Sequence, residues 1–271
     1  RLNSVISSIL LNFPDISDFE YVIVQGDTAS AFACALAAFN RGVKVAHVES
    51  GLRSFDLHHP FPEEGYRQMI SRISDLNFCP TYLSKENLIG EKALGVSHIV
   101  GNTVLDNLIN LRTDEINNDI VITLHRRENH KLIHSWIKQI NRLALIHSNL
   151  NFIFISHPNP NIQIAVESLK NVIIKDPMSH KEILNLISKC KIIVTDSGGL
   201  QEEGSFFNKK IIVCRETTER PEGIITGHLY MCKKPEDLFE LFNKLLKEKI
   251  IFKECPYGDG YSSEKINNIL L

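Results

Sequence analysis

The sequence is short of the features that would commit it to several broad classes of protein. It has no CxxC pair, and its six cysteines (Cys34, Cys79, Cys190, Cys214, Cys232 and Cys255) are scattered, several of them inside apolar runs. That argues against a zinc knuckle or a disulfide framework and for reduced core thiols. It has no excess of either charge: 30 Lys and Arg stand against 32 Asp and Glu, a formal net charge of -2. No global field therefore draws the chain to nucleic acid or to an anionic membrane, and an acidic ligand must be caught by local groups. No apolar run is long enough to cross a bilayer and no signal peptide opens the sequence, so the expectation is a soluble, cytoplasmic protein with no membrane partner. HxH and HExxH spacings are missing too, and no metal site is expected.

What is there is a regular alternation. Short β-branched runs alternate with segments of helical period, the pattern of parallel strands joined by crossover helices, so the fold class is α/β. Strands are predicted at "EYVIVQG", "KVAHVE", "LNFCP" and "SHIVGN", with helices after Asp27, Glu63, Ser84 and Thr103. A second series follows at "DIVITLHR", "NFIFISH", "NVIIKD", "KIIVTDSG" and "KKIIVCRE". The polar stretch "LRTDEINND" reads as a linker, which predicts two Rossmann-like, doubly wound domains, 1–116 and 117–271, with the last helix, "YSSEKINNILL", free to pack back on the first.

In open parallel sheets ligands bind beyond the carboxyl ends of the strands, and here those ends are unusually polar. The first strand runs into Gly26-Asp27-Thr28, the second into Glu49, the fifth into His125-Arg126-Arg127-Glu128 and the eighth into "TDSGGLQEE". Asp27 also reads as the N-cap of the helix after it. A glutamate continuing an apolar strand, as Glu49 does, is costly to bury without a partner such as Arg53. Glu63 and Glu64 follow Pro62, where acidic residues commonly open a helix. The turn Ser197-Gly198-Gly199 leads a strand into a helix and presents backbone N–H groups at a positive helix end with no side chain in the way, a place for a phosphate. Glu203, one turn on, is spaced to hold the two hydroxyls of a ribose, and Arg215 and Arg220 supply groups suited to phosphate.

The stretches "VQGDTASAFACALAAFNRGVKVAHVESGLRS", "PFPEEGYRQ", "GNTVLDNL", "LHRREN", "HPNPN", "TDSGGLQEE", "RETTERPEG" and "PYGDG" resemble, in order and spacing, the non-hydrolysing UDP-N-acetylglucosamine 2-epimerases. The resemblance runs from near Arg1 to the last helix. It implies the two-domain architecture of GT-B glycosyltransferases, with a UDP-sugar in the cleft that the domains face, and cytoplasmic homodimers working without metal or any other cofactor. It implies interconversion of UDP-GlcNAc and UDP-ManNAc through elimination and re-addition of UDP, in the service of surface polysaccharide synthesis. By motif match Asp27, Glu49 and Glu63 would be the acid and base groups, and His125 would stabilise the leaving diphosphate with Ser197, Gly198 and Gly199. Glu203 would hold the ribose and Arg215 would seat the nucleotide. Related epimerases of 6-deoxy or diacetamido UDP-sugars, hydrolysing 2-epimerases and a truncated, non-catalytic UDP-sugar-binding protein are the alternatives.

Two departures from the family pattern carry expectations. The family's opening strand and its glycine-threonine-arginine-proline loop have no counterpart, so the first sheet is expected to lack an inner strand and that loop's arginine. Tyr66 stands where the family more often has Asn, which would retune contacts near Glu63 or alter helix packing.

Overall fold

The computed structural model describes residues 1–249 and 251–271, with the backbone alone of Arg127. The chain divides into two compact units: Arg1–Asp106 with Tyr257–Leu271, and Asn107–Pro256.

The first unit is built on a sheet of four parallel strands in the order β1 (Tyr21–Gln25), β2 (Lys44–Val48), β3 (Leu76–Cys79), β4 (Val96–Ile99). α1 (Leu2–Asn12) packs on α2 (Ala29–Asn40). Alanine fills most of the buried face of α2, a residue that favours helix and lets the helix approach the strands closely. Asp27 is not its cap: the Thr28 hydroxyl accepts the Ala31 N–H at 3.1 Å and starts the helix. Side chains alternate across the sheet, so Val45 faces a core with Val24, Ala35 and Ile70, whereas Ala46, Val48 and Phe78 face a second core with Val100 and Ile266. α3 (Glu63–Ile73) supplies Ile70 to the first core, and α4 (Tyr82–Gly90) starts at a Thr81 cap.

Ile266 belongs to α11 (Ser262–Leu270), the segment whose packing the sequence leaves open. The Asp106 carboxylate accepts the Ser262 and Ser263 N–H groups at 2.9 and 2.7 Å and caps α11 at its positive end. Gly101, at φ 89°, makes the crossing possible: a Cβ there would lie 2.7 Å from Ser262 Oγ and 3.1 Å from Gly258 Cα.

The second unit holds six parallel strands in the order β10-β9-β8-β5-β6-β7. These are β5 (Asp119–Thr123), β6 (Asn151–Ile155), β7 (Ile173–Lys175), β8 (Ile192–Thr195), β9 (Lys210–Val213) and β10 (Leu229–Met231). β10 is absent from the sequence-based reading, three residues being too short a run to stand out; it pairs Leu229 with Ile211. Helices α5 (Ile133–Ile146), α6 (Pro160–Val166), α7 (His180–Lys189), α8 (Gly198–Phe206), α9 (Glu222–Ile225) and α10 (Leu238–Lys247) complete it. Trp136, Phe152, Phe154 and Phe242 fill the core between α5, α10 and the sheet.

Residues 107–116, expected in the first domain, group with the second unit. Arg112 stacks 3.9 Å over the Phe206 ring and Glu115 pairs with Lys189 at 2.6 Å, contacts that a linker reading of polar residues cannot reveal. Thr103–Leu111 is a 3-10 helix rather than an α-helix. Among the described residues no helix is long and apolar enough to cross a membrane, and no group of three or more His, Cys, Asp or Glu could hold a metal ion.

Candidate functional site

In the first unit the ends of β1 and β2 are stitched together. The Gly26 N–H donates to the Val48 carbonyl at 3.0 Å, and the Gly26 carbonyl meets His47 Nε2 at 2.8 Å. His47 is fully buried, and burial lowers its pKa to about 4, so the ring is neutral and its Nε2 carries the proton given to Gly26. Glu49 follows in the left-handed region at φ 63°, strained for a residue with a side chain. That turn swings its carboxylate over Gly26, where a Cβ would lie 3.6 Å from Glu49 Oε2. Asp27 is the next residue, so two strand ends deliver two carboxylates to one place.

α3 adds the third. Its residue Arg67 donates through Nε to Asp27 Oδ2 at 3.0 Å and through Nη2 to the same oxygen. Glu63 lies four residues before Arg67, on the same helical face, and its Oε2 is buried with no hydrogen-bond partner among the described residues. Glu64 behaves differently: wholly buried, it accepts the Ser54 and Phe55 N–H groups at 3.0 and 3.3 Å, Gln68 Nε2 at 2.8 Å and Arg67 Nη1 at 3.3 Å. It pins the loop after β2. Arg53, the partner suggested for Glu49, makes a bidentate pair with Glu91 at 2.8 and 2.9 Å. Tyr66 stacks on Phe32 with ring centroids 5.3 Å apart, so this departure serves the packing of α3 on α2.

In the second unit the topological switch point lies between β5 and β8, because the chain leaves β5 toward β6 and β7 and then returns to the other side. His125 follows β5 and Asp196 follows β8. Asp196 is fully buried and accepts the His125 N–H at 3.0 Å, the Arg126 N–H at 2.9 Å and Asn129 Nδ2 at 2.9 Å, with His125 Nδ1 3.4 Å away. Asn129 is itself held by Trp136 Nε1 at 3.0 Å and by the Cys214 carbonyl at 2.9 Å. His125 stacks on His157, centroids 5.4 Å apart. Its pKa is lowered, chiefly by burial and further by His157, against the pull of Asp196.

Ser197 opens α8 without a capping bond from its side chain, and its own N–H is taken by Thr195 Oγ1 at 2.9 Å. Gly198 leaves room for the Arg220 guanidinium, since a Cβ there would come within 2.8 Å of Arg220 Nη1. Arg220 is anchored to Glu202 and Glu219, and Arg215 to Glu128 at 2.8 Å and Glu219 at 3.1 Å. Thr218 Oγ1 reaches Gln201 at 2.7 Å and ties this arginine-bearing loop to α8. Glu203 lies buried in α8, its Oε1 2.6 Å from His180 Nε2, and burial raises its pKa.

Sequence reasoning therefore named Asp27, Glu49, Glu63, His125, Ser197, Gly198, Gly199, Glu203 and Arg215 as site candidates and Glu64 as a helix-opening acid, and did not single out Arg67, Asp196, Asn129 or Gln201. The helical spacing of Glu63 and Arg67 was the available signal for one of these. The others act through buried hydrogen bonds that leave no mark on periodicity.

The sequence model described as UDP-N-acetylglucosamine 2-epimerase matches residues 2–271. The UDP-N-acetylglucosamine 2-epimerase of Neisseria meningitidis serogroup A is 36% identical over 100% of this chain and 82% of its own length. That of Campylobacter jejuni is 36% identical over 94% of this chain and 76% of its own. The crystal structure of the UDP-GlcNAc 2-epimerase from Neisseria meningitidis bound to UDP-GlcNAc superposes with a TM-score of 0.85 at 34% identity, covering 99% of this chain and 80% of that one. S. aureus MnaA, solved with UDP, gives 0.86 at 32%, covering 99% and 78%. With its two parallel-sheet units in a GT-B-like fold and a match over almost its whole length, the chain belongs to the UDP-N-acetylglucosamine 2-epimerase family of isomerases.

Proposed function

We propose that the protein inverts C2 of UDP-N-acetylglucosamine reversibly, without hydrolysis, giving UDP-N-acetylmannosamine. The observation that carries this reading is the placing of Asp27 and Glu49 at two adjoining strand ends, with the unpartnered Glu63 oxygen on the helix whose Arg67 holds Asp27. The relatives solved with UDP-GlcNAc and UDP support the choice of ligand.

The chemistry needs two proton-transfer groups because the C2 hydrogen leaves one face of the sugar and returns to the other. One carboxylate takes the C2 proton while the C1–oxygen bond to UDP breaks, leaving a 2-acetamidoglucal. UDP oxygen then re-forms the bond to C1, and a carboxylic acid delivers a proton to C2 from the opposite face. Asp27, Glu49 and Glu63 supply these groups. Charge that develops on the departing diphosphate is met by His125, the Ser197 hydroxyl and the N–H groups of Gly198 and Gly199 at the start of α8. Glu203 holds the ribose, and Arg215 orders the loop that seats the nucleotide. The protein works as a cytoplasmic homodimer in polysaccharide precursor synthesis, with no metal and no redox cofactor.

The test is incubation with UDP-GlcNAc in deuterated water, followed by proton NMR. Deuterium at C2 of a UDP-linked N-acetylmannosamine is expected. Free N-acetylmannosamine would replace this reading by a hydrolysing enzyme, and UDP binding without exchange by a non-catalytic one.

A further inference from the structure

A cavity of about 270 Å³ lies at the amino-terminal edge of the second sheet, among the residues that lead into β9 and β10 and those that follow α10. The strand-end residues His125, Ser197 and Arg215 lie at the other edge, a strand length of roughly 13 Å away at about 3.3 Å per residue. Four lysines line it, Lys209, Lys210, Lys249 and Lys253, against one carboxylate, the exposed Glu248.

Three of these lysines, Lys209, Lys210 and Lys253, are not ordinary surface charges. Lys209 is 3% exposed, yet its ammonium has no hydrogen-bond or ion-pair partner among the described residues. Lys210 is 8% exposed and donates to the Leu245 and Glu248 carbonyls, at 2.6 and 2.5 Å, where α10 ends, which leaves one of its three protons unspent. Lys253 reaches the Gly227 carbonyl at 2.5 Å, an approach that Gly227 permits, since a Cβ there would fall 2.6 Å from Nζ. His228, 2% exposed, completes the wall; Nδ1 is 2.9 Å from Thr226 Oγ1 and Nε2 is buried without a partner in hydrogen-bond geometry. Burial lowers the pKa of both Lys209 and Lys210, and that of His228 to about 4 through burial and the neighbouring Lys253 ammonium. The described ion pairs include none at Lys209, which leaves its ammonium, at the end of a mostly buried stem, available to an anion.

We propose that this cavity is an anion-binding site separate from the strand-end site, built for an oxyanion of the phosphate or diphosphate class, free or as the end of a larger metabolite. Lysine ammonium groups bind phosphate oxygens as point charges, and the lysines that line the cavity are where the anion's oxygens go.

Calorimetric titration of the full chain with sodium pyrophosphate at constant ionic strength, with and without saturating UDP, tests this. One binding event that persists in UDP is expected, weakened roughly tenfold or more by Lys209→Met, the usual size of losing one charged hydrogen bond. Should Lys209→Met fail to fold, the Lys249→Gln/Lys253→Gln double variant decides in its place. Affinity unchanged in a folded variant, or no pyrophosphate binding once UDP is present, overturns the proposal.

Discussion

Arg67 Nε lies 3.0 Å from Asp27 Oδ2, joining the helix after the second strand to the end of the first across forty residues of sequence. A carboxylate held by a guanidinium is fixed in direction, so removing the carboxylate and removing its holder should have different effects.

Asp27→Asn, Glu49→Gln and Glu63→Gln should each lower turnover about 100- to 10,000-fold, the range for loss of a proton-transfer group, while UDP affinity changes little. Steady-state kinetics paired with UDP calorimetry checks this, and parallel loss of both quantities would mark the carboxylates as structural.

Arg67→Met should lower turnover as well, but with a cost in stability of about 1–3 kcal/mol, because Glu64 and Asp27 each lose a charged partner. Urea unfolding distinguishes it from Asp27→Asn, which keeps the fold's shape.

The origin of that difference shows what the sequence makes legible. Asp27, Glu49 and His125 stand immediately after apolar runs, and strand-end position alone picks them out. Arg67 and Asp196 matter through partners 40 and 71 residues away, which only the folded chain brings near. The same holds for architecture. The first nine described strands show in the sequence as short apolar runs, most of them β-branched, whereas β10 and the grouping of residues 107–116 depend on tertiary contacts such as Arg112 on Phe206.

Asp196→Ala should weaken stability by several kcal/mol, since the His125 and Arg126 N–H groups and the Asn129 amide lose their common acceptor. Asp196→Asn, which preserves shape, should instead shift the pH profile of turnover by removing the charge that favours protonated His125. A profile identical to the wild type would remove Asp196 from the positioning of His125.

His47 predicts a pH dependence of folding. Its folded pKa, about 4, lies below the ordinary value of 6.5, so between these limits the unfolded chain binds a proton that the folded chain does not. Stability should fall as pH drops through that window, by on the order of 3 kcal/mol for this group. Urea midpoints measured from pH 7 to 4.5 should slope less in His47→Gln than in the wild type.

Gly101→Ala should destabilise the first unit by more than about 1 kcal/mol, given its positive φ and the crowding by Ser262 and Gly258. Hydrogen exchange at α11 should rise with it.

The capping of α11 by Asp106 and the seat of Ile266 beside Phe78 set an order of events on the ribosome. Residues 1–106 emerge first but lack one flank of their core until 257–271 have been translated, whereas the intervening unit holds all its own strands beforehand. The second unit should thus mature before the first, leaving Ala46, Val48 and Phe78 for a chaperone to cover in the interval.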